Sequence, residues 1–391
     1  MNDVLILIGY RTLNYGSALQ AAATGYMIHL LGKDYKILNT DSLQKGIKKK
    51  KILFYLTSGE LSFFLHSKGR FLLNRAAEKY KKPYRLKLQS RRQKFNVFLN
   101  KYLLFTKDVK SWEEAGELAE KYKNVLLGSD QMWLPSSVVT DTYTLHFVAP
   151  DINMLSYATS FGIGTIPEKF RDNYIEMFKH IKNVSVREVN GVRLFHEMMG
   201  YECPLTLDPV LMLDKNMWEA LIPNNSINIH EPYVFCYFLG NNKWQRRWVL
   251  RFAKKYRFKL VGLIHCDEYI KNDEKIYDYS EVDISPESFL NYIRNACYIF
   301  TDSFHCSALS VIEEKKFGVF LRFSDYSVYS TNSRIYSFLE QTGLKSRLVT
   351  EGTSFHFITA DITYDLVNQR IEKMREESFS FLRKNIKSGN E

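Results

Sequence analysis

Short apolar runs that stop at a polar turn and pass straight into an amphipathic helix recur along this chain, and that rhythm confines it to the α/β class with parallel sheets. The stretch from Tyr298 to Phe320, YIFTDSFHCSALSVIEEKKFGVF, shows it most plainly. Tyr298, Ile299 and Phe300 close a strand, Thr301-Asp302-Ser303 carries turn and N-cap chemistry, and Ala308, Leu309, Val311 and Ile312 recur at helical spacing. In an open α/β sheet, ligands bind outside the carboxyl ends of the strands, where free amides at a helix N-terminus attract anions. His305 stands at such a place, with hydroxyls from Ser303 and Ser307 beside it and Lys315 and Lys316 at the far end of the helix. The local pattern is equally compatible with a hydrogen-bonded structural histidine and with a catalytic one.

The same unit opens the chain. Val4 to Ile8 reads as a buried strand, followed by a loop to Gly16 and a helix from about Ser17 to Leu31. The loop, GYRTLNYGSALQ, has neither the G-x-G-x-x-G spacing of a dinucleotide site nor the ending of a P-loop, but Asn14, Tyr15 and Gly16 sit where a ligand would be met. Further strands are expected at Tyr35 to Asn39, Lys123 to Leu127, Met154 to Ala158 and Asn183 to Val186. Polar residues follow three of them: Ser129, Asp130, Gln131 and Trp133; then Ser160; then Arg187-Glu188. Asp130 is a candidate general acid or base, although Ser, Asp and Gln after a strand are also ordinary loop residues.

A polar, turn-rich segment from Ala220 to Pro232 separates this series from a second one, with strands expected at Tyr233 to Leu239, Phe258 to Ile264, Ala296 to Phe300 and Val319 to Phe323. A chain of 391 residues exceeds one ordinary core, so the expected division is a Rossmann-like domain over 1–222, a second over 223–360, and a C-terminal helix over 361–391 long enough to pack back on the first.

Between the second and third expected strands lies an insertion, about 45–110, that concentrates the positive charge. From Lys45 to Lys101 there are seventeen Lys and Arg against two acids, a balance of +15; with a chain total of +11, the remainder carries −4. Within it ILFYLTSGELSFFL, Ile52 to Leu65, falls short of the roughly 20 apolar residues of a membrane span. Cations interleaved with Phe54, Tyr55, Phe63, Phe64, Phe71, Tyr80, Tyr84, Phe95 and Phe98 suit helices lying on an anionic membrane surface, or simply a solvated face; no nucleic-acid recognition motif accompanies the charge. The five cysteines, Cys203, Cys236, Cys266, Cys297 and Cys306, form no C-x-x-C pair, and no metal-ligand spacing occurs. The opening MNDVLILIGYR reads as a first strand rather than a signal peptide, giving an expected cytoplasmic location, peripheral to the inner membrane face if the insertion binds there.

NYGSALQ, GSDQMW, SYATSFG, SVRE, LDPVLML, TDSFHCSA and NSRIYSFLEQTGL, in that order, resemble the polysaccharide pyruvyl transferase family over most of the chain. The resemblance implies a GT-B-like architecture, two Rossmann-like domains facing across a cleft, and transfer of a pyruvyl group from phosphoenolpyruvate onto a sugar as a ketal. Phosphoenolpyruvate is then donor substrate, no cofactor or metal is called for, and the acceptor is a glycan or a lipid-linked oligosaccharide. By the same resemblance His305 matches the family's catalytic histidine and Arg187 one of the arginines that hold the donor. Where well-studied branches carry an arginine two residues before the histidine, this chain has Ser303; Arg334, Lys316 or Arg322 are the candidates to supply the missing charge, Arg334 first.

A carboxylate and a phosphate on one small donor call for forked guanidinium contacts, the role assigned to Arg187 and Arg334. His305 either accepts a sugar hydroxyl proton or, with Asp130 or Asp302 alongside, protonates carbon. Two other functions remain compatible: a nucleotide-sugar glycosyltransferase of the same architecture, and a catalytically silent relative that binds glycan or membrane. A thiol nucleophile at Cys306 is disfavoured, since adjacent helix residues do not face each other.

Overall fold

Two parallel sheets organise the protein, whose structure, a computed structural model, describes residues 2–59, 74–264, 270, 272–323 and 330–387. The first has the order β3-β2-β1-β4-β5-β6, formed by Phe105–Asp108, Tyr35–Asn39, Asn2–Leu7, Tyr122–Leu127, Asn153–Thr159 and Asn183–Val186. The second has the order β11-β10-β7-β8-β9, from Lys316–Val319, Tyr298–Thr301, Tyr233–Tyr237, Lys259–Leu263 and Tyr279–Glu281. Buried Val, Ile, Leu and Phe fill the central strands because helices cover both faces of a parallel sheet. In each sheet the order reverses at one point, between β1 and β4 and between β7 and β10, and there the loops diverge and leave a crevice. These are the two Rossmann-like domains, and they face each other across a GT-B-like cleft.

The helices used below are α1 (Tyr15–Leu30), α2 (Gln44–Thr57), α3 (Lys82–Tyr102), α4 (Phe304–Ile312), α5 (Ser333–Thr342) and α6 (Tyr364–Asn385). Helix α1 begins at an Asn14 cap whose side chain accepts from the Gly16 and Ser17 amides. Helix α6 lies along the first domain: Arg375 donates to Leu211 O, the Ser378 hydroxyl accepts from the Leu207 amide, and the Tyr157 and Phe381 ring centroids lie 6.4 Å apart with the planes tilted.

Two edge strands, β3 and β9, were not expected, being only four and three residues long. Strand β11 begins at Lys316, three residues ahead of the expected start, so Lys316 stands at the amino end and Arg322 beyond the carboxyl end. The shift moves Arg322 from inside the expected strand to the cleft end, while Lys316 is on the amino side in either case.

The described part of the basic insertion, α2 and α3, packs on the body of the protein. Arg91 is buried and donates to the carbonyls of Ile264 and Val282 in the second domain and of Leu13 in the first, while its guanidinium lies 4.4 Å from the Tyr15 ring centroid. Lys81, Lys94 and Lys101 approach Glu274, Asp283 and Glu287 of the second domain within 3.3, 3.4 and 3.7 Å. Part of the charge separation seen in the sequence is therefore met inside the molecule. Phe63, Phe64 and Phe71 of the insertion, and Cys266, lie outside the described residues. Among the described residues no helix is long and apolar enough to cross a membrane.

Candidate active site

The carboxyl ends of the strands at both reversal points deliver their polar residues to one place. From the first domain come Asn14 and Ser17 after β1, Ser129 and Asp130 after β4, Ser160 after β5, and Arg187 and Glu188 after β6. Asp130 adopts φ +81°, a left-handed conformation that costs a non-glycine residue energy and aims its carboxylate into the cluster. From the second domain, α4 carries Ser303 as its N-cap and His305 in its first turn. The two helix starts touch: a Cβ at Gly16 would fall 2.5 Å from His305 Nδ1 and 2.6 Å from its Cβ, so only glycine admits the histidine so close to α1.

Asp208 is the hub. Its Oδ2 lies 2.6 Å from Arg187 Nη1, 3.0 Å from the Ser129 hydroxyl that donates to it, and 3.6 Å from His305 Nε2; its Oδ1 accepts from the Val210 amide. At 3.6 Å the histidine contact is electrostatic and not a hydrogen bond, and among the described residues His305 Nε2 is buried with no hydrogen-bond partner. Arg187 also gives Nη2 to Asp130 at 3.1 Å, approaches Glu188 at 3.6 Å, and lies 4.9 Å from the Phe304 ring of the second domain. Ser17 holds the other Asp130 oxygen at 2.9 Å, and Ser160 holds Glu188 at 2.6 Å.

Burial raises the Asp130 and Asp208 pKa values, but the surrounding charges outweigh it. Arg187, His305, Arg334 and the Ser17 hydroxyl bring Asp130 down to about 2, and His305, Arg187 and the Val210 amide hold Asp208 far below the carboxylate range. Both are ionised at neutral pH, so neither delivers a proton; Arg187, despite its burial, is locked in its charged form by Asp208, Asp130 and Glu188. Arg334 is different. Burial, then the like charge of Arg187, lowers its pKa to about 10, and among the described residues it reaches only the Thr331 carbonyl, at 3.4 Å, with no carboxylate in ion-pair range.

Of the residues singled out in the sequence, His305, Asp130, Arg187, Arg334, Ser129, Ser160 and Gly16 are thus brought together. Several roles change. Arg187, expected to fork around the donor, commits both terminal nitrogens to Asp208 and Asp130. Asp302, considered as the partner of His305, accepts from the Leu239 and Gly240 amides instead, and Asp208 takes its place. Ser303 caps α4 by accepting from the Cys306 amide, and Asn14 caps α1, so both helix starts are satisfied in part by their own side chains. Lys316 is removed from the site: it pairs with Asp361 at 2.7 Å at the opposite end of β11. Tyr15 is core, stacked on Phe289 at 4.9 Å with its hydroxyl donating to Ile284 O. Trp133 is core as well, fully buried between Phe161 and Phe178. Gln131 remains at the cleft wall. Burial pushes the Cys306 thiol up to about 12, which leaves no thiolate to act as nucleophile.

Sequence reasoning passed over Asp208, Ser17 and Glu188. Asp208 had a signal, an Asp before Pro209 at the mouth of a short helix, but that pattern reads as a cap, and it does cap. Its second oxygen is recruited only by tertiary contact.

Depressed carboxylate pKa values stabilise the fold above the unfolded value near 4, and that stabilisation is lost as pH falls through the folded values. For Asp130 the shift to about 2 corresponds to roughly 2 kcal/mol. The urea midpoint should therefore drop steeply between about pH 4 and pH 2, less steeply in Asp130→Asn; equal slopes for the two proteins would contradict this account.

The family model for polysaccharide pyruvyl transferase matches residues 14–322, a span that takes in the cluster from Asn14 to Arg322 and stops short of Arg334. No curated protein matches the sequence. Among solved structures, UDP-GlcNAc 2-epimerase from Methanocaldococcus jannaschii in complex with UDP-GlcNAc and UDP aligns with a TM-score of 0.50 at 12% identity over 96% of this chain and 93% of that one. S. aureus MnaA with UDP aligns at 0.49 and 12% identity (97% and 90%), and Acinetobacter baumannii MurG at 0.43 and 8% (98% and 99%). At such identity the first of these bears on the fold alone. The ordered motifs, and a family match that covers most of the chain, place the protein in a single family: it belongs to the polysaccharide pyruvyl transferases.

Proposed function

We propose that the protein transfers the pyruvyl group of phosphoenolpyruvate, as a ketal, to two hydroxyls of a sugar on a cell-surface polysaccharide or its lipid-linked precursor, without metal or cofactor. The observation that carries this reading is Arg334, a half-buried arginine in the field of Arg187 and Asp130 that has no carboxylate in ion-pair range among the described residues. A small anion with a carboxylate and a phosphate would supply the missing charge, and Arg322 stands on the same side of the cleft. In the reaction the methylene carbon gains a proton, two sugar oxygens bond to the central carbon, and its bond to the ester oxygen breaks to release inorganic phosphate. The two hydroxyl protons account for the proton gained by carbon and the one left on phosphate. His305, with Asp208 facing it, is the group placed to move a proton; Asp130, ionised, stabilises positive charge developing at the central carbon.

Incubation with phosphoenolpyruvate and a panel of galactosyl, glucosyl and N-acetylmannosaminyl glycosides should release phosphate. Arg334→Met should raise the KM for phosphoenolpyruvate by about 10- to 100-fold, the worth of one charge-assisted contact. Thermal stability should change little, because among the described residues the cation removed has no carboxylate in ion-pair range. Phosphate release from no acceptor, together with turnover of a nucleotide sugar, would replace this reading with glycosyl transfer.

Peripheral attachment to an anionic membrane belongs to the same proposal. Helix α2 turns Ile52, Leu53 and Leu56 outward, Leu53 at 61% exposure, next to exposed Lys48, Lys49 and Lys50. Co-sedimentation should require anionic lipid and weaken as salt rises; equal binding to neutral vesicles, or none to either, would discard it.

A further inference from the structure

Beside the charged cluster, a cavity of about 290 Å³ opens between α2, the strand-end loops of the first domain and the segment after β11. Its walls are mostly apolar, with Phe54 and Tyr55 of α2, Leu134 and Phe170 of the first domain, and Phe323 of the second. The Phe54 and Phe170 rings lie 5.3 Å apart. The wall nearest the cluster is polar, formed by Gln131, which follows Asp130 in the chain, and by Arg322, whose Nη2 donates to the Asp302 carbonyl at 3.2 Å. Among the described residues Gln131 Nε2 and Arg322 Nε are both buried without a hydrogen-bond partner, Arg322 Nε lying 3.7 Å from Asp302 Oδ2. Polar donors therefore stand at the catalytic end, and hydrocarbon at the other.

A free hexose carries hydroxyls on every side and would leave many of them unpaired against such walls, at a cost for each. Phosphoenolpyruvate, small and multiply charged, suits the hydrocarbon end still less. An amphiphile satisfies both ends. We infer that this cavity is a subsite for an apolar group attached to the acceptor, so that the protein selects a glycoside whose sugar meets Gln131 and Arg322 while its hydrophobic aglycone lies between Phe54, Phe170 and Phe323. The inference rests on the pyruvyl-transfer reading for the identity of the ligand as an acceptor; the preference itself is a binding property and can be measured without donor. It also gives the insertion a second part in the molecule. The outer face of α2 carries Leu53 and Leu56, and its inner face lines the acceptor cleft.

The test is calorimetric titration of the full-length protein, without phosphoenolpyruvate, using methyl and octyl glycosides of galactose, glucose and N-acetylmannosamine below their micelle concentrations, paired with phosphate-release assays on the same compounds. At least one octyl glycoside should bind about 10- to 100-fold tighter than its methyl counterpart, the effect of burying two to three methylenes. The ratio should collapse towards one in Ile163→Trp, which fills the cavity, and in Thr165→Trp, an exposed position at its rim where folding is not threatened. A ratio near one in the parent, no binding of any octyl glycoside, or an unchanged ratio in both folded variants would overturn the subsite. If the preference and its loss are found but no compound releases phosphate, the subsite stands and the transfer reading fails. If phosphate is released without preference, transfer stands and the subsite does not.

Discussion

Replacing His305 with Gln should leave a folded protein that binds phosphoenolpyruvate nearly as the parent does and turns over about 10²- to 10⁴-fold more slowly, the usual share of general acid–base catalysis. Glutamine keeps a hydrogen-bonding head and most of the bulk against Gly16, but it cannot exchange protons near neutral pH. The structure makes this substitution informative, because among the described residues His305 Nε2 has no hydrogen-bond partner to lose, and it stands 3.6 Å from Asp208. A histidine kept for structure would normally have both ring nitrogens satisfied. The measurements are single-turnover kinetics, donor affinity and thermal midpoint on the same preparation. Turnover near the parent rate in a well-folded variant would remove His305 from the mechanism and leave the assignment on Arg334 alone.

Arg187→Met should be the most destabilising single change in the site, by about 3–5 kcal/mol, and should show itself as lost yield or a collapsed thermal midpoint before any kinetic effect can be read. The arginine side chain is 1% exposed and lies within 3.6 Å of Asp130, Asp208 and Glu188. Without it, two carboxylates already held ionised by their surroundings lose the buried cation that pairs with both. Arg187 and Arg334 should therefore part company: loss of the first unfolds the protein, loss of the second weakens donor binding. If Arg187→Met proved as stable as the parent and merely raised the donor KM, the guanidinium would have to turn from its carboxylates to the ligand, and the fork first expected of it would be restored.

The rhythm of apolar run, polar turn and helix was enough to establish two parallel α/β domains and to point at the residues after the strands, because both depend on interactions a few residues apart. His305, Asp130, Ser129, Ser160 and Arg187 were found in that way. Residues whose direction depends on distant partners were misjudged. Tyr15 and Trp133 occupy the expected loops but turn inward to aromatic cores, Tyr15 onto Phe289 of the other domain. Arg322 is brought to the cleft wall by a three-residue displacement of β11 that periodicity in a short apolar run does not fix, whereas Lys316 stands at the amino end of the strand, paired with Asp361.

Charge illustrates the same division. The sequence located a block of seventeen cations, but only packing shows that Arg91 is buried on carbonyls of both domains and that Lys81, Lys94 and Lys101 face acids nearly two hundred residues away. Asp208 is the sharpest case: one oxygen performs the capping role that an Asp before a Pro announces locally, and the other gathers Arg187, Ser129 and His305 from three separate segments. Local spacing determines which backbone conformations and caps form, since those energies arise within a turn or a strand. The ionisation of Asp130 and Asp208, the lowered pKa of Arg334 and the meeting of Gly16 with His305 arise only when both domains close on the same cleft, since burial and Coulomb energy depend on what the rest of the chain brings within a few ångströms.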